Sequence, residues 1–384
     1  MKKRTLFIIS LVLIALFTIT PPRISGDVLK DNQNLEKKVA QMLLIGFRGT
    51  QVNQDSYIYK VLKDMDIGGV VLFDYDVPSQ SYPRNIISPE QTKKLISDLQ
   101  AQAQTPLFVA VDAEGGRINR LKEKYGFIQI PSAQEIGKSH PQNAEFTYHM
   151  LSCELAYLGF NLNLAPVVDL NLNPKNPVIG SLERSFSKDP QTVIDFALAF
   201  INAHDKNGVI SALKHFPGHG SSAHDSHLGI VDVTDTYQNC ELNPYSELIK
   251  RGKAQMIMTA HIMNSKVDPD YPATLSPNFL NKILRKKLNF KGVIISDDMQ
   301  MGAIQENYGF SEALIRAVNA GCNILTLSNN ARIYDEEAIY KALDIIIHAV
   351  KSGKISMDKI NNSYRKIIDL KTKYNLMTVS PTSS

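Results

Sequence analysis

Four histidines fall within residues 214–227: His215, His219, His224 and His227. The i, i+4 spacing of His215 and His219 would suit two zinc ligands on a helix, but Pro217, Gly218 and Gly220 oppose a helix there. A tight turn followed by a projecting loop fits the run better, and on that loop Asp225 stands two residues before His227. A carboxylate so placed orients an imidazole and raises its pKa, giving a group that can donate and recover a proton near neutral pH. Other polar residues follow apolar runs directly: Asp112 and Glu114 in VDAEGGR, Lys214 and His215 in KHF, His261 in TAH, and Asp297 with Asp298 in SDD. Successive strand residues point to opposite faces, so only one of Asp297 and Asp298 is expected to aim into a shared site.

What positions these residues is a repeated pattern. Apolar or β-branched runs recur at 41–47, 69–73, 107–112, 160–169, 209–215, 254–261, 292–297 and 322–327. Their interiors lack polar alternation, as expected of strands buried on both faces of a parallel sheet. The stretches between them are long enough for crossover helices, expected at 89–102, 190–207, 276–288 and 311–320, with a closing helix at 357–374. Eight such units predict an α/β fold, a single (β/α)8 TIM-type barrel over residues 27–384. Barrel active sites lie at the C-terminal ends of the strands, so the polar residues above would meet at one mouth.

Charge narrows the partners. The chain of 384 residues carries 42 Lys+Arg and 38 Asp+Glu, and the excess sits in Lys2, Lys3, Arg4 and Arg23, all ahead of the first acid, Asp27. The neutral remainder lacks the basic surplus that nucleic acid or an anionic membrane requires, so a small or neutral ligand is expected and no nucleic acid. Residues 1–26 read as a signal peptide or N-terminal anchor, with a basic start, an apolar run over 6–20 and then Pro21-Pro22. An exported protein is expected, periplasmic, cell-surface or secreted, touching membrane only through that segment if it stays uncleaved. Cys153, Cys240 and Cys322 are odd in number and widely spaced, against a disulfide framework or structural zinc site.

The segments VDAEGGRINR (111–120), GSLERSF (180–186), KHFPGHGSSAHDSH (214–227) and GVIISDDM (292–299) resemble bacterial β-N-acetylglucosaminidases of glycoside hydrolase family 3. NLNLAPVVD (161–169), MTAH (258–261) and PATLS (272–276) extend the likeness, which runs from about residue 35 to 370. The resemblance implies hydrolysis with retention at the anomeric carbon, without metal or organic cofactor. By position it makes Asp297 the nucleophile, His227 the general acid/base and Asp225 its partner. It assigns Asp112, Arg120, Arg184, Lys214 and His215 to sugar binding, leaves Glu114 structural, and puts His219 and His261 behind the site. The implied substrate is a glycan ending in GlcNAc, a peptidoglycan fragment or chitooligosaccharide.

Other readings stay open on the sequence alone. A phosphorylase would use phosphate in place of water, and a β-glucosidase would ignore the acetamido group. A metal-dependent hydrolase would use His215, His219 and His261, and a non-catalytic surface protein would only bind sugar. The stretch 74–87 is longer than its counterpart in the family and is expected to add a wall to the pocket. Without Trp, sugar stacking must fall to Tyr or Phe, which suits an exo-acting site for one terminal residue.

Overall fold

The computed structural model describes residues 34–225 and 229–378. Residues 1–26, expected to be a signal peptide or N-terminal anchor, therefore lie outside the described residues.

Eight parallel strands close into a barrel: β1 (Leu43–Gly46), β2 (Gly69–Leu72), β3 (Phe108–Val111), β4 (Leu162–Asn163), β5 (Ile210–Phe216), β6 (Met256–Thr259), β7 (Val293–Asp298) and β8 (Ile324–Leu327). Each pairs with its neighbours in sequence, and β1 pairs with β8 to complete the ring. All eight apolar runs of the sequence supply a strand. The interiors are fully buried, as in Leu43, Val70, Phe108 and Leu325. Apolar side chains thus fill the barrel and meet the surrounding helices on its outside, leaving polar residues to the strand ends.

The helices start where the sequence supplies a cap and a proline. Ser88 Oγ accepts the Gln91 N–H before Pro89–Gln102, and Asp189 accepts the Thr192 N–H before Pro190–Lys206. Between β6 and β7 the expected crossover helix is present as Asn278–Lys287, wound in the wider π form, with Ser276 Oγ accepting from the Asn278 and Phe279 N–H groups. The closing helix spans Met357–Lys373.

Two expectations need correction. The strand expected over 160–169 is only Leu162–Asn163, because Pro166 has no N–H for the ladder; the backbone rejoins its neighbour through the bridge between Val167 and Lys214. Asparagine side chains do part of the missing work. Asn161 accepts from Val109 N and donates to Leu107 O, while Asn163 accepts from Ala113 N and donates to Ala113 O. The second correction concerns β7. Its pairing with β8 shifts register between Ile295 and Asp298, and this bulge breaks the strict alternation expected of Asp297 and Asp298.

Candidate active site

The ends of the strands surround a cavity of about 320 Å³, within the lower range of ~300–1,000 Å³ typical of small-molecule pockets. Seven of the eight residues expected to have a catalytic or sugar-binding role line it: Asp112, Arg120, Arg184, Lys214, His215, Asp225 and Asp297. The eighth, His227, lies outside the described residues. His219 and His261 are buried and do not line the cavity; His261 bonds to Thr274 Oγ1 and the Asp298 carbonyl from behind.

One floor of the cavity is an ion-pair lattice. Lys214 Nζ lies 2.8 Å from Asp112 Oδ1 and 2.7 Å from Glu114 Oε1. Arg184 grips Glu114 with two parallel bonds, Nε to Oε2 at 2.8 Å and its second nitrogen to Oε1 at 2.7 Å, and gives a third to Val178 O. Arg120 stands more loosely beside Asp112, at 3.9 Å. Burial alone would raise the Glu114 pKa, but Arg184 and Lys214 outweigh it and hold the carboxyl at about 2. Glu114 is therefore more than a neighbour of Gly115 and Gly116, because it fixes two of the cations assigned to sugar binding. Both cations are in structural ion pairs, and both still border the cavity.

His215 is set by Asp169. Its Nδ1 lies 2.7 Å from Asp169 Oδ2, and its Nε2 lies 3.3 Å from an Arg184 nitrogen. Guanidinium can only donate, so Nε2 is the acceptor and the ring proton sits on Nδ1, facing Asp169. Asp169 also receives the backbone N–H groups of His215 and His219. Burial opposes its charge, yet His215 and these donors keep its pKa below the ordinary value. Sequence reasoning gave Asp169 no role, although it ends an apolar run like the other acids.

Across the cavity both Asp297 and Asp298 border the open space. The expectation that only one could do so fails because of the bulge. Their surroundings still separate them. Asp298 accepts from Ser328 Oγ, Ser328 N and Gln300 N, and burial pushes its pKa up to about 6. It is tied into the strand end, while Asp297 Oδ1 takes the Asp298 N–H at 2.8 Å.

The loop that carries Asp225 leaves β5 through a crowded turn. A Cβ on Gly220 would stand 1.7 Å from the Leu170 carbonyl oxygen, so only glycine fits. The turn hangs on Glu241, which accepts from Ser221 Oγ at 2.7 Å, from Gly220 N at 3.1 Å and from Ser221 N at 3.3 Å. Nothing in the spacing of the sequence pointed to Glu241. Burial pushes its carboxyl from an ordinary 4.5 up to about 7 despite these donors. Between those values the folded chain holds a proton that the unfolded chain releases, so this group costs stability as pH rises from about 4.5 to 7. Glu241→Gln does not titrate. Its unfolding free energy relative to the parent should therefore shift in the variant's favour by roughly 3 kcal/mol between acid and mildly alkaline pH. Denaturant titrations at several pH values check this, and a constant difference would show that Glu241 ionises normally.

Comparison with known proteins points the same way. Residues 34–370 match the Glycosyl hydrolase family 3 N terminal domain. The chain is 34% identical over 336 residues to Beta-hexosaminidase A of Pseudoalteromonas piscicida, covering 82% of this chain and 54% of that protein, so it spans about half that relative's length. Identity to the Beta-hexosaminidase of Haemophilus influenzae (strain PittEE) is 34% over 310 residues, with 79% and 82% covered. Among solved structures, the glycoside hydrolase family 3 beta-N-acetylglucosaminidase of Paenibacillus sp. str. FPU-7 superposes with a TM-score of 0.81 at 32% identity, over 91% of this chain and 64% of that one.

Proposed function

Because this chain belongs to glycosyl hydrolase family 3 through its N-terminal-type barrel domain, we propose that it is a retaining exo-β-N-acetylglucosaminidase. Its substrate would be a peptidoglycan fragment or chitooligosaccharide with GlcNAc at the non-reducing end, met outside the cytoplasm if residues 1–26 direct export. The carrying observation is the convergence of Asp297, Asp225, Asp112, Lys214 and Arg184 on one cavity of single-sugar scale, with Glu114 tying the two cations together.

In this reading Asp297 attacks the anomeric carbon as the bond to the leaving oxygen breaks, and His227, oriented by Asp225, gives that oxygen its proton. The sugar is then an ester of Asp297. Water, losing a proton to His227, attacks the same carbon, releases the Asp297 carboxylate and restores the starting configuration. Asp112 accepts sugar hydroxyl protons while Lys214, Arg184 and Arg120 donate to hydroxyl and acetamido oxygens. Since ion pairs hold Asp112, Lys214 and Arg184 in place before the sugar arrives, little ordering of these groups remains to oppose binding.

Water is favoured over phosphate as the acceptor by charge. Lys214 and Arg184 are held against carboxylates, Arg120 stands beside one, and Asp225, Asp297 and Asp298 add further acids around the cavity. A phosphate dianion would enter a field of its own sign.

The test compares nitrophenol release from the β-GlcNAc and β-glucose nitrophenyl glycosides in phosphate-free buffer containing chelator. Strong preference for GlcNAc with undiminished rate is expected. Preference for glucose would overturn the acetamido-specific reading, acceleration by added phosphate the hydrolytic one, and silence on both the glycosidase reading itself.

A further inference from the structure

The stretch 74–87 does build a wall, since Tyr75 and Val77 line the cavity. It also reaches beyond it. The Tyr82 ring lies 4.6 Å from that of Tyr75 and 6.3 Å from that of Tyr125 between centroids, and Tyr82 stays 49% exposed at the rim. From the loop after β3 come Lys122 and Lys124, whose ammonium groups lie 5.3 Å and 4.8 Å from the Tyr82 ring centre. Lys122 is occupied by Asp74, at 2.6 Å. Lys124 has ring contacts and no ion pair among the described residues.

The ledge is held rigidly. Asp76 and Ser81 bridge the base of the turn, and the Asp76 carboxylate is clamped by Arg48 and by the fully buried Arg84. Arg84 donates onward to the carbonyls of Ser328 and Asn329, and Asn330 exchanges bonds with Val77 N and Tyr75 O. Ser328 is also the residue that holds Asp298. The ledge and the cavity wall are thus one framework, and an exposed aromatic fixed in place can stack on a ligand at low entropic cost.

We propose that Tyr82, with Lys124 beside it, forms a second-sugar subsite: it stacks the pyranose on the leaving-group side of the bond cleaved, and favours one that carries a carboxylate. The inference rests on the glycosidase reading above. A terminal sugar seated in the cavity would leave its neighbour at the rim, where Tyr75 continues into Tyr82. Tyrosine supplies a flat apolar face, which sugar C–H groups cover well, and Lys124 supplies a charge that a carboxylate can meet.

Three substrates separate the possibilities: the β-fluoride of GlcNAc, whose leaving group has nothing to stack; a β-1,4-linked disaccharide of GlcNAc on a neutral second sugar; and the same disaccharide with a lactyl carboxylate on that sugar. Tyr82→Ala should raise KM about 3- to 10-fold for both disaccharides and change the fluoride less than 2-fold. Tyr82→Phe, which keeps the face, should behave as the parent. Lys124→Ala should lower the acidic-to-neutral preference several-fold, and high salt should do the same to the parent. Equal losses on all three substrates, or none in Tyr82→Ala, would overturn the stacking subsite, and an unchanged acidic preference in Lys124→Ala would overturn its charge. If the parent fails on the fluoride too, it is the glycosidase reading that falls.

Discussion

Asp297→Asn should lose at least about 10³-fold in kcat while the barrel stays folded. The substitution replaces one oxygen by an amide nitrogen and leaves volume unchanged. The bond that Asp297 Oδ1 accepts from Asp298 N survives, since an asparagine oxygen accepts equally well. What disappears is the negative oxygen that can form an ester with the sugar. Stability and activity should therefore separate, with the melting temperature kept and turnover of nitrophenyl β-GlcNAc lost. Rapid quenching of the parent during turnover should add one sugar residue to the peptide bearing Asp297, and mass spectrometry after fragmentation places the adduct. Asp298→Asn is the matched control. That side chain accepts from Ser328 and Gln300 and holds the end of β7 against β8, so its loss should act first on stability. Parent-like turnover in Asp297→Asn, or an adduct on Asp298, would end the assignment.

That such a control is needed shows where sequence reasoning stops. The eight strands were legible because each is an apolar run with no polar alternation, and polar residues following those runs marked the mouth. Periodicity assumes an unbroken ladder, however, and at 295–298 the ladder shifts register. The bulge has no signature in the letters SDD, so the claim that Asp297 and Asp298 face apart could not survive. β4 falls short of its apolar run for a similar reason, since Pro166 has no N–H with which to carry the ladder on.

Long-range ion pairs were legible only one partner at a time. Glu114 and Arg184 are 70 positions apart, and Lys214 lies 102 positions from Asp112. Spacing arguments reach a helical turn or a strand pair, not across three strands of a barrel, so the sequence does not join the two roles open to Arg184 and Lys214, sugar binding and structural pairing. They are compatible: the pairing holds each cation in place at the cavity edge. Glu241 was invisible for a related reason. Its work is to hold a turn against the loop after β5, and an acid in an otherwise ordinary helix-start sequence carries no mark of what it will accept from.

His227 moves the proton in the proposed mechanism, and kinetics test that role directly. His227→Ala should lower kcat/KM about 10²- to 10⁴-fold on a disaccharide, whose leaving alkoxide needs a proton, and far less on the nitrophenyl glycoside, whose leaving phenolate does not. The two parameters should also part company on the nitrophenyl substrate. Formation of the ester on Asp297 would proceed almost as before, preserving kcat/KM, while the water step would lose its base and kcat would fall. A burst of nitrophenol equal to the enzyme present, followed by slow turnover, is the expected trace. Asp225→Asn should show the same pattern in weaker form, because an amide at the cavity edge can still orient the imidazole but cannot stabilise its positive charge. A uniform loss on both substrates, with no burst, would mean that His227 positions the sugar and that the proton comes from another group.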